Sequence, residues 1–330
     1  ATLLILSTTM AGLGHAAALP SGAIPLPSPR PSAAASDATP SPQAEAASKP
    51  ATDALESGLL ALGNRNASLA RSIRDSLPRN ALDRHILTWS IVLSGVEDVP
   101  SDEIAQAAEE LKGWPGLASL PRLFERALFY EQPSAEKVLA AFKDKPPETI
   151  KGTITLVRAL VASGDAKRAR NIAAASWRTA VMDGQETSIF LDEFDNLLSK
   201  EDHFRRMEML LYRDHVNDAK EVSRKAEAYS LYRAWSAVIR SPAKAGGAIE
   251  AVDSSWHATP AYLYLRIRQL RERERNKEAA ALLAKMPRDR AALVDPDEWW
   301  VEARIISRGL YEDGDFKGAY KLAAAHLAES

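Results

Sequence analysis

The chain has 330 residues, 42 Lys and Arg against 44 Asp and Glu, a formal charge of -2, six His and no Cys. A balance this close to neutral lacks the basic excess that nucleic-acid binders carry, so no nucleic-acid partner is expected. The length suffices for one large domain or a helical array, and without cysteine the fold must hold by packing alone.

The first 18 residues pair a short apolar core (Leu3-Leu4-Ile5-Leu6, Met10 to Leu13) with the small-residue run Ala16-Ala17-Ala18. This is the pattern of a secretory signal whose charged beginning is missing, and it predicts export to an oxidising compartment. The stretch is too short and too rich in Ser, Thr and Gly for a membrane span. Residues 19–52 are dominated by Pro, Ser and Ala, as in Pro25-Leu-Pro-Ser-Pro-Arg-Pro31, and are expected to be a disordered linker because they have little apolar surface to bury.

From residue 53 to 330 apolar residues recur at three and four spacing, with Ala, Leu, Arg and Glu abundant, which predicts an all-α chain. The helices repeat. Asn66, Asp165, His215, Arg275 and Asp315 each enter a second helix. Four residues later stands Ala70, Ala169, Ala219, Ala279 or Ala319, and seven later Ile73, Ile172, Val222, Leu282 or Leu322. Five before each anchor stands Ala61, Leu160, Leu210, Leu270 or Leu310. A small residue at the crossing lets two helices approach closely while aliphatic neighbours fill the groove. The pattern predicts an α-solenoid of tetratricopeptide-like helix pairs, with degenerate units hidden around Leu111 to Phe142. Breaks at Pro78, Pro100, Pro115, Pro133, Pro146-Pro147, Asp183-Gly184, Pro242, Pro260, Pro287 and Pro296 mark helix ends.

Candidate chemistry is sparse. No His-x-x-x-His or Cys pair offers two metal ligands on one helix face, and His85 reads as a helical histidine, so no metal and no cofactor is expected. The acidic groups Glu97-Asp98, Asp192-Glu193 with Asp195, and Asp295 with Asp297-Glu298 read as helix starts or solvated faces rather than a catalytic pair. The alternating run Arg271 to Glu278 reads as a turn laced with salt bridges. Of the tryptophans at 89, 114, 177, 235, 256, 299 and 300, six are assigned to packing and one, not identified, to a possible glycan contact.

The most specific segment is Asp295-Pro-Asp-Glu-Trp-Trp-Val-Glu-Ala-Arg304, followed by Gly314-Asp-Phe-Lys-Gly-Ala-Tyr320. Trp299, Trp300 and Arg304 are expected near one helical stripe as a structural motif. The segment resembles the end of the superhelical domain of soluble lytic murein transglycosylases, and the resemblance spans roughly residues 54–330. It implies a periplasmic protein acting on peptidoglycan, in which a following lysozyme-like domain carries a catalytic glutamate in a Glu-Ser motif. In that family the superhelix closes a ring with the catalytic domain, which implies weak contacts to glycan strands.

Here the sequence departs from the family. Glu56-Ser57 and Glu329-Ser330 lack the family's flanking residues, and neither can be carried over as catalytic. The expectation is therefore a non-catalytic, monomeric superhelical domain whose catalytic domain lies beyond Ser330. The competing expectation is a periplasmic interaction adaptor with no enzyme attached.

Overall fold

A computed structural model describes residues 42–143, 145–289 and 292–325, with side chains from Asp53 onward. The segment expected to be a signal and most of the linker lie outside these residues. Contacts divide the chain into Ala1–Lys49 and Pro50–Ser330, and the description below concerns the second unit. Among the described residues there are seventeen α-helices and no strand.

In the first third these are α1 (Pro42–Gly63), α2 (Ala67–Ser76), α3 (Leu82–Leu93), α4 (Ser101–Glu110), α5 (Leu120–Glu131) and α6 (Ala135–Ala141). Next come α7 (Ile150–Ala162), α8 (Ala166–Thr179), α9 (Gly184–Phe194), α10 (Lys200–Tyr212), α11 (Val216–Lys225), α12 (Tyr229–Arg240) and α13 (Gly246–Glu250). The last are α14 (Pro260–Glu272), α15 (Asn276–Leu283), α16 (Pro296–Glu312) and α17 (Phe316–Ala323). The backbone of α1 begins at Pro42, ahead of the start read at residue 53. The intervening Gln-Ala-Glu-Ala-Ala-Ser-Lys stretch is rich in good helix formers.

The five sequence anchors share one turn. Asn66, Asp165, His215, Arg275 and Asp315 are the N-caps of α2, α8, α11, α15 and α17. The N–H of each donates back to the carbonyl of Ala61, Leu160, Leu210, Leu270 or Leu310 at 2.8 to 2.9 Å. The residue before each anchor (Arg65, Gly164, Asp214, Glu274, Gly314) has a positive φ. This is the Schellman geometry: one residue closes the first helix and caps the second, so the chain reverses with almost no loop. The alanines at the crossings are fully buried at 70, 169, 219 and 279, and Ala319 nearly so.

Packing between pairs follows from the same repeat. Helices α10, α12, α14 and α16 contact one another in sequence, while α11, α15 and α17 pack on their own partners. The result is an all-α stack of helix pairs, the solenoid class. Two hydrophobic cores run through it. One spans Ala61 to Ala127 and the other Leu128 to Ala319, with Phe124 on α5 touching both.

Helix α5 also supplies the polar joints of this region. Buried Glu125 accepts from the Glu148 and Thr149 backbone N–H groups at 2.7 and 2.8 Å, satisfying the start of α7. Glu131 accepts from the N–H and hydroxyl of Ser101 at 2.5 and 2.6 Å at the start of α4. A carboxylate at a helix N-terminus meets both unpaired donors and the positive end of the dipole.

Candidate functional site: an aromatic column and the surfaces beside it

Asp295 caps α16 through a 3.4 Å bond from the Glu298 N–H, with Pro296 at the first helical position and Asp297 and Glu298 in the first turn. That start fixes Trp299 one turn into the helix, where it is 1% exposed. Its indole N–H donates to the Tyr212 hydroxyl at 3.2 Å, across 87 residues of sequence. Tyr212 and Tyr264 have ring centroids 4.5 Å apart, Tyr264 and Trp299 5.2 Å, Tyr212 and Trp235 5.1 Å, and Trp235 and Tyr264 5.6 Å. Each of α10, α12, α14 and α16 thus contributes one ring to a buried aromatic column, with edge-to-face contacts predominating. Burial raises the Tyr212 and Tyr264 phenols well above their ordinary range, so both are neutral at physiological pH.

Trp300 and Arg304 part company with Trp299. Trp300 is half-buried and lines an apolar groove of about 260 Å³ with Ala280, Ala284, Met286 and Leu322, between α15 and the last pair. Arg304 is exposed. One end of the expected stripe is core and the other is solvent-facing.

Ion pairs frame the column. Arg268 donates to both Asp214 carboxylate oxygens at 2.8 and 3.0 Å, tying α14 to the α10–α11 turn. Arg271 makes two 2.8 Å bonds to Glu302, a carboxylate 2% exposed, tying α14 to α16. Those bonds outweigh burial and raise the Arg271 pKa further. Arg213 lies 3.8 Å from Asp295.

On α10, Glu208 is 1% exposed and its pKa is pushed up to about 8 by burial, against a 3.2 Å bond from Arg205 that lowers it. At neutral pH it is a protonated acid. Nearby Arg178, Glu201, Arg205, Arg213 and Asp295 line a cleft of about 410 Å³. Sequence reasoning missed Glu208. It sits in Arg206-Met-Glu-Met209, and nothing local reveals that this turn faces inward.

Several other sequence readings can be placed. Glu56 and Ser57 are exposed on α1, and Glu329-Ser330 lies outside the described residues. His85 donates from Nδ1 to the Ala81 carbonyl at 2.9 Å, stacks on Trp114 and lies 3.3 Å from Glu110. The reading of Asp192 to Asp195 as a simple solvated face needs correction. Asp192 is exposed, but Glu193 takes two bonds from Arg158 at 2.6 and 2.7 Å. Asp195 meets Lys225 at 2.8 Å and His203 at 3.3 Å. Burial lowers the His203 pKa, with Asp195 opposing it.

Buried Arg206 donates to the Trp177 and Ala180 carbonyls at 2.9 and 3.0 Å and closes α8, and burial lowers its pKa to about 10. Among the described residues no cluster of three or more His, Asp or Glu could hold a metal ion. Within the same residues no helix is long and apolar enough to cross a membrane.

No family model matches the sequence, and no curated protein matches it. Among solved structures, the fold is similar to that of the 70 kDa soluble lytic transglycosylase of Escherichia coli, with a TM-score of 0.54 and 12% identity. The match covers 85% of this chain and 46% of that one, so this chain spans less than half of the enzyme. At this identity the likeness establishes the fold, a lytic-transglycosylase-like stack of helix pairs.

Proposed function

We propose that this chain is the non-catalytic superhelical part of an exported protein of lytic-transglycosylase type, which holds peptidoglycan glycan strands for a catalytic domain encoded downstream. The observation that carries the reading is the fold likeness over 85% of the chain to an enzyme of that activity. The Trp299-Trp300 segment and the signal-like first 18 residues support it. Localisation in the periplasm and a monomeric state belong to the same proposal. No residue of the chain is assigned a catalytic role, since Glu208 is a lone buried acid held by Arg205 rather than half of a pair spanning a substrate.

A second reading, an interaction adaptor, has one observation in its favour. Tyr311, Phe316 and Tyr320 on the last helix pair are 62%, 61% and 78% exposed, an apolar surface suited to a helical partner. Titration of the purified chain with soluble murein fragments separates the readings. Weak binding, on the order of a millimolar Kd and worth about 4 kcal/mol, is expected of a groove that uses many small contacts. No binding at several times that concentration would overturn the glycan-holding role and leave the adaptor.

A further inference from the structure

Trp256 is set against an open cleft that is also rich in hydrogen-bonding side chains. The cleft, about 590 Å³, is lined by Lys200, Glu201, Phe204, Glu227, Asp253 and Trp256, among others. It lies where the start of α10 meets the turns before α12 and α14. Phe204, 7% exposed, stacks on the indole with centroids 4.8 Å apart and planes 15° from parallel, which fixes the aromatic plane.

The polar rim is held as well. Asp253 accepts from the Ser230 hydroxyl at 2.6 Å, Lys200 pairs with Glu227, and the Trp256 backbone N–H donates to the Asp253 carbonyl at 3.0 Å. The indole nitrogen of Trp256 has no hydrogen-bond partner among the described residues, so a donor is available to a ligand. By contrast, Trp177, Trp235 and Trp299 are buried, and Trp300 faces an apolar groove. Trp89 spends its indole N–H on the Pro115 carbonyl at 2.8 Å.

We propose that the Trp256 cleft is a subsite for a neutral pyranose unit of a glycan strand. A pyranose has an apolar C–H face that lies well on an aromatic plane, and a rim of hydroxyls that matches planar carboxylates and an ammonium. The volume falls in the range of small-ligand sites. Charge selects among sugars. Lys200 pairs with Glu227 and Arg205 with Glu201, which leaves Asp253 as the uncompensated charge of the rim, so it disfavours an anionic ligand and favours N-acetylglucosamine units over muramic acid units with a free lactyl carboxylate. This inference rests on the glycan-holding function proposed above and adds to it a place and a sugar preference.

The test uses the full chain labelled with ¹⁵N and titrated with chitotetraose, a neutral oligomer of N-acetylglucosamine. The Trp256 indole N–H resonance, identified by its loss in Trp256→Phe, is expected to shift with a Kd on the order of a millimolar, while those of buried Trp177 and Trp235 stay fixed. Trp256→Ala should weaken binding roughly tenfold, the scale of one lost aromatic stack, with helicity and thermal midpoint checked alongside. If that variant unfolds, the shift map of the unsubstituted chain still decides.

An unmoved Trp256 resonance in a chain that nonetheless binds murein fragments would overturn the subsite and leave the function standing. Failure to bind either ligand would overturn both. Tighter binding of a carboxylate-bearing muramyl peptide at this cleft would overturn the preference for a neutral sugar.

Discussion

The two cores of the stack are built from different materials. The hydrophobic side chains buried in the smaller, from Ala61 to Ala127, are all Ala, Leu, Ile and Val, among them Leu87, Ile91 and Leu111. The larger, from Leu128 to Ala319, is organised around Trp177, Phe190, Tyr212, Trp235, Tyr264 and Trp299. Aliphatic side chains of similar volume can repack around one another, whereas rings that meet edge to face and share a hydrogen bond with Tyr212 have one good arrangement. The contrast teaches where the fold is specified. The small core sets helix spacing, and the aromatic column with its ion pairs fixes how α10, α12, α14 and α16 meet.

The largest expected effect comes from deleting a column ring. Trp299→Ala should cost about 3–5 kcal/mol in chemical denaturation, while Leu87→Met in the aliphatic core should cost less than about 1.5 kcal/mol. Similar losses from both would erase the distinction. Next is Glu208. Its folded pKa of about 8 lies above the ordinary 4.5, so its contribution to stability is fully present below pH 4.5 and is lost as pH rises through about 8. Glu208→Gln should therefore match the unsubstituted chain in acid and exceed it by on the order of a few kcal/mol above pH 8. A pH-independent difference between the two denaturation curves would contradict the buried, protonated acid.

The joint between the cores should respond on a smaller scale. A Cβ at Gly152 would stand 2.3 Å from the Glu125 carboxylate that caps α7, so Gly152→Ala should lower stability by about 1–3 kcal/mol. An unchanged thermal midpoint would show that the cap is dispensable. Smallest is Arg304→Ala, expected to stay within about 0.5 kcal/mol because the side chain is exposed. A larger loss would restore Arg304 to the structural motif.

What the sequence disclosed and what it hid divide along physical lines. The reversals at Asn66, Asp165, His215, Arg275 and Asp315 were legible because a cap, a small crossing residue and its flanking aliphatics are all local. The turn's left-handed residue was less visible, since Arg65, Asp214 and Glu274 take that conformation without being glycine. Between Asn66 and Asp165 the pattern fades for a visible reason. Ser134 caps α6, but four residues on stands Val138 rather than alanine, and α6 packs on α7. The N-terminal caps from Glu125 and Glu131, the column drawn from residues 212, 235, 264 and 299, and the burial of Glu208 all depend on neighbours distant in sequence. No spacing rule reaches them. The Trp256 cleft is hidden in the same way, joining Lys200 and Phe204 to Asp253 across three elements.

The most direct test of the proposal that the chain holds glycan without cutting it is co-sedimentation with purified peptidoglycan sacculi, followed by mass spectrometry of the supernatant. The chain is expected to be retained in the pellet in proportion to sacculus concentration, to be released by excess chitotetraose, and to leave no soluble sugar product in solution. Absence of retention at any concentration, or release of soluble glycan fragments by this chain alone, would contradict the account.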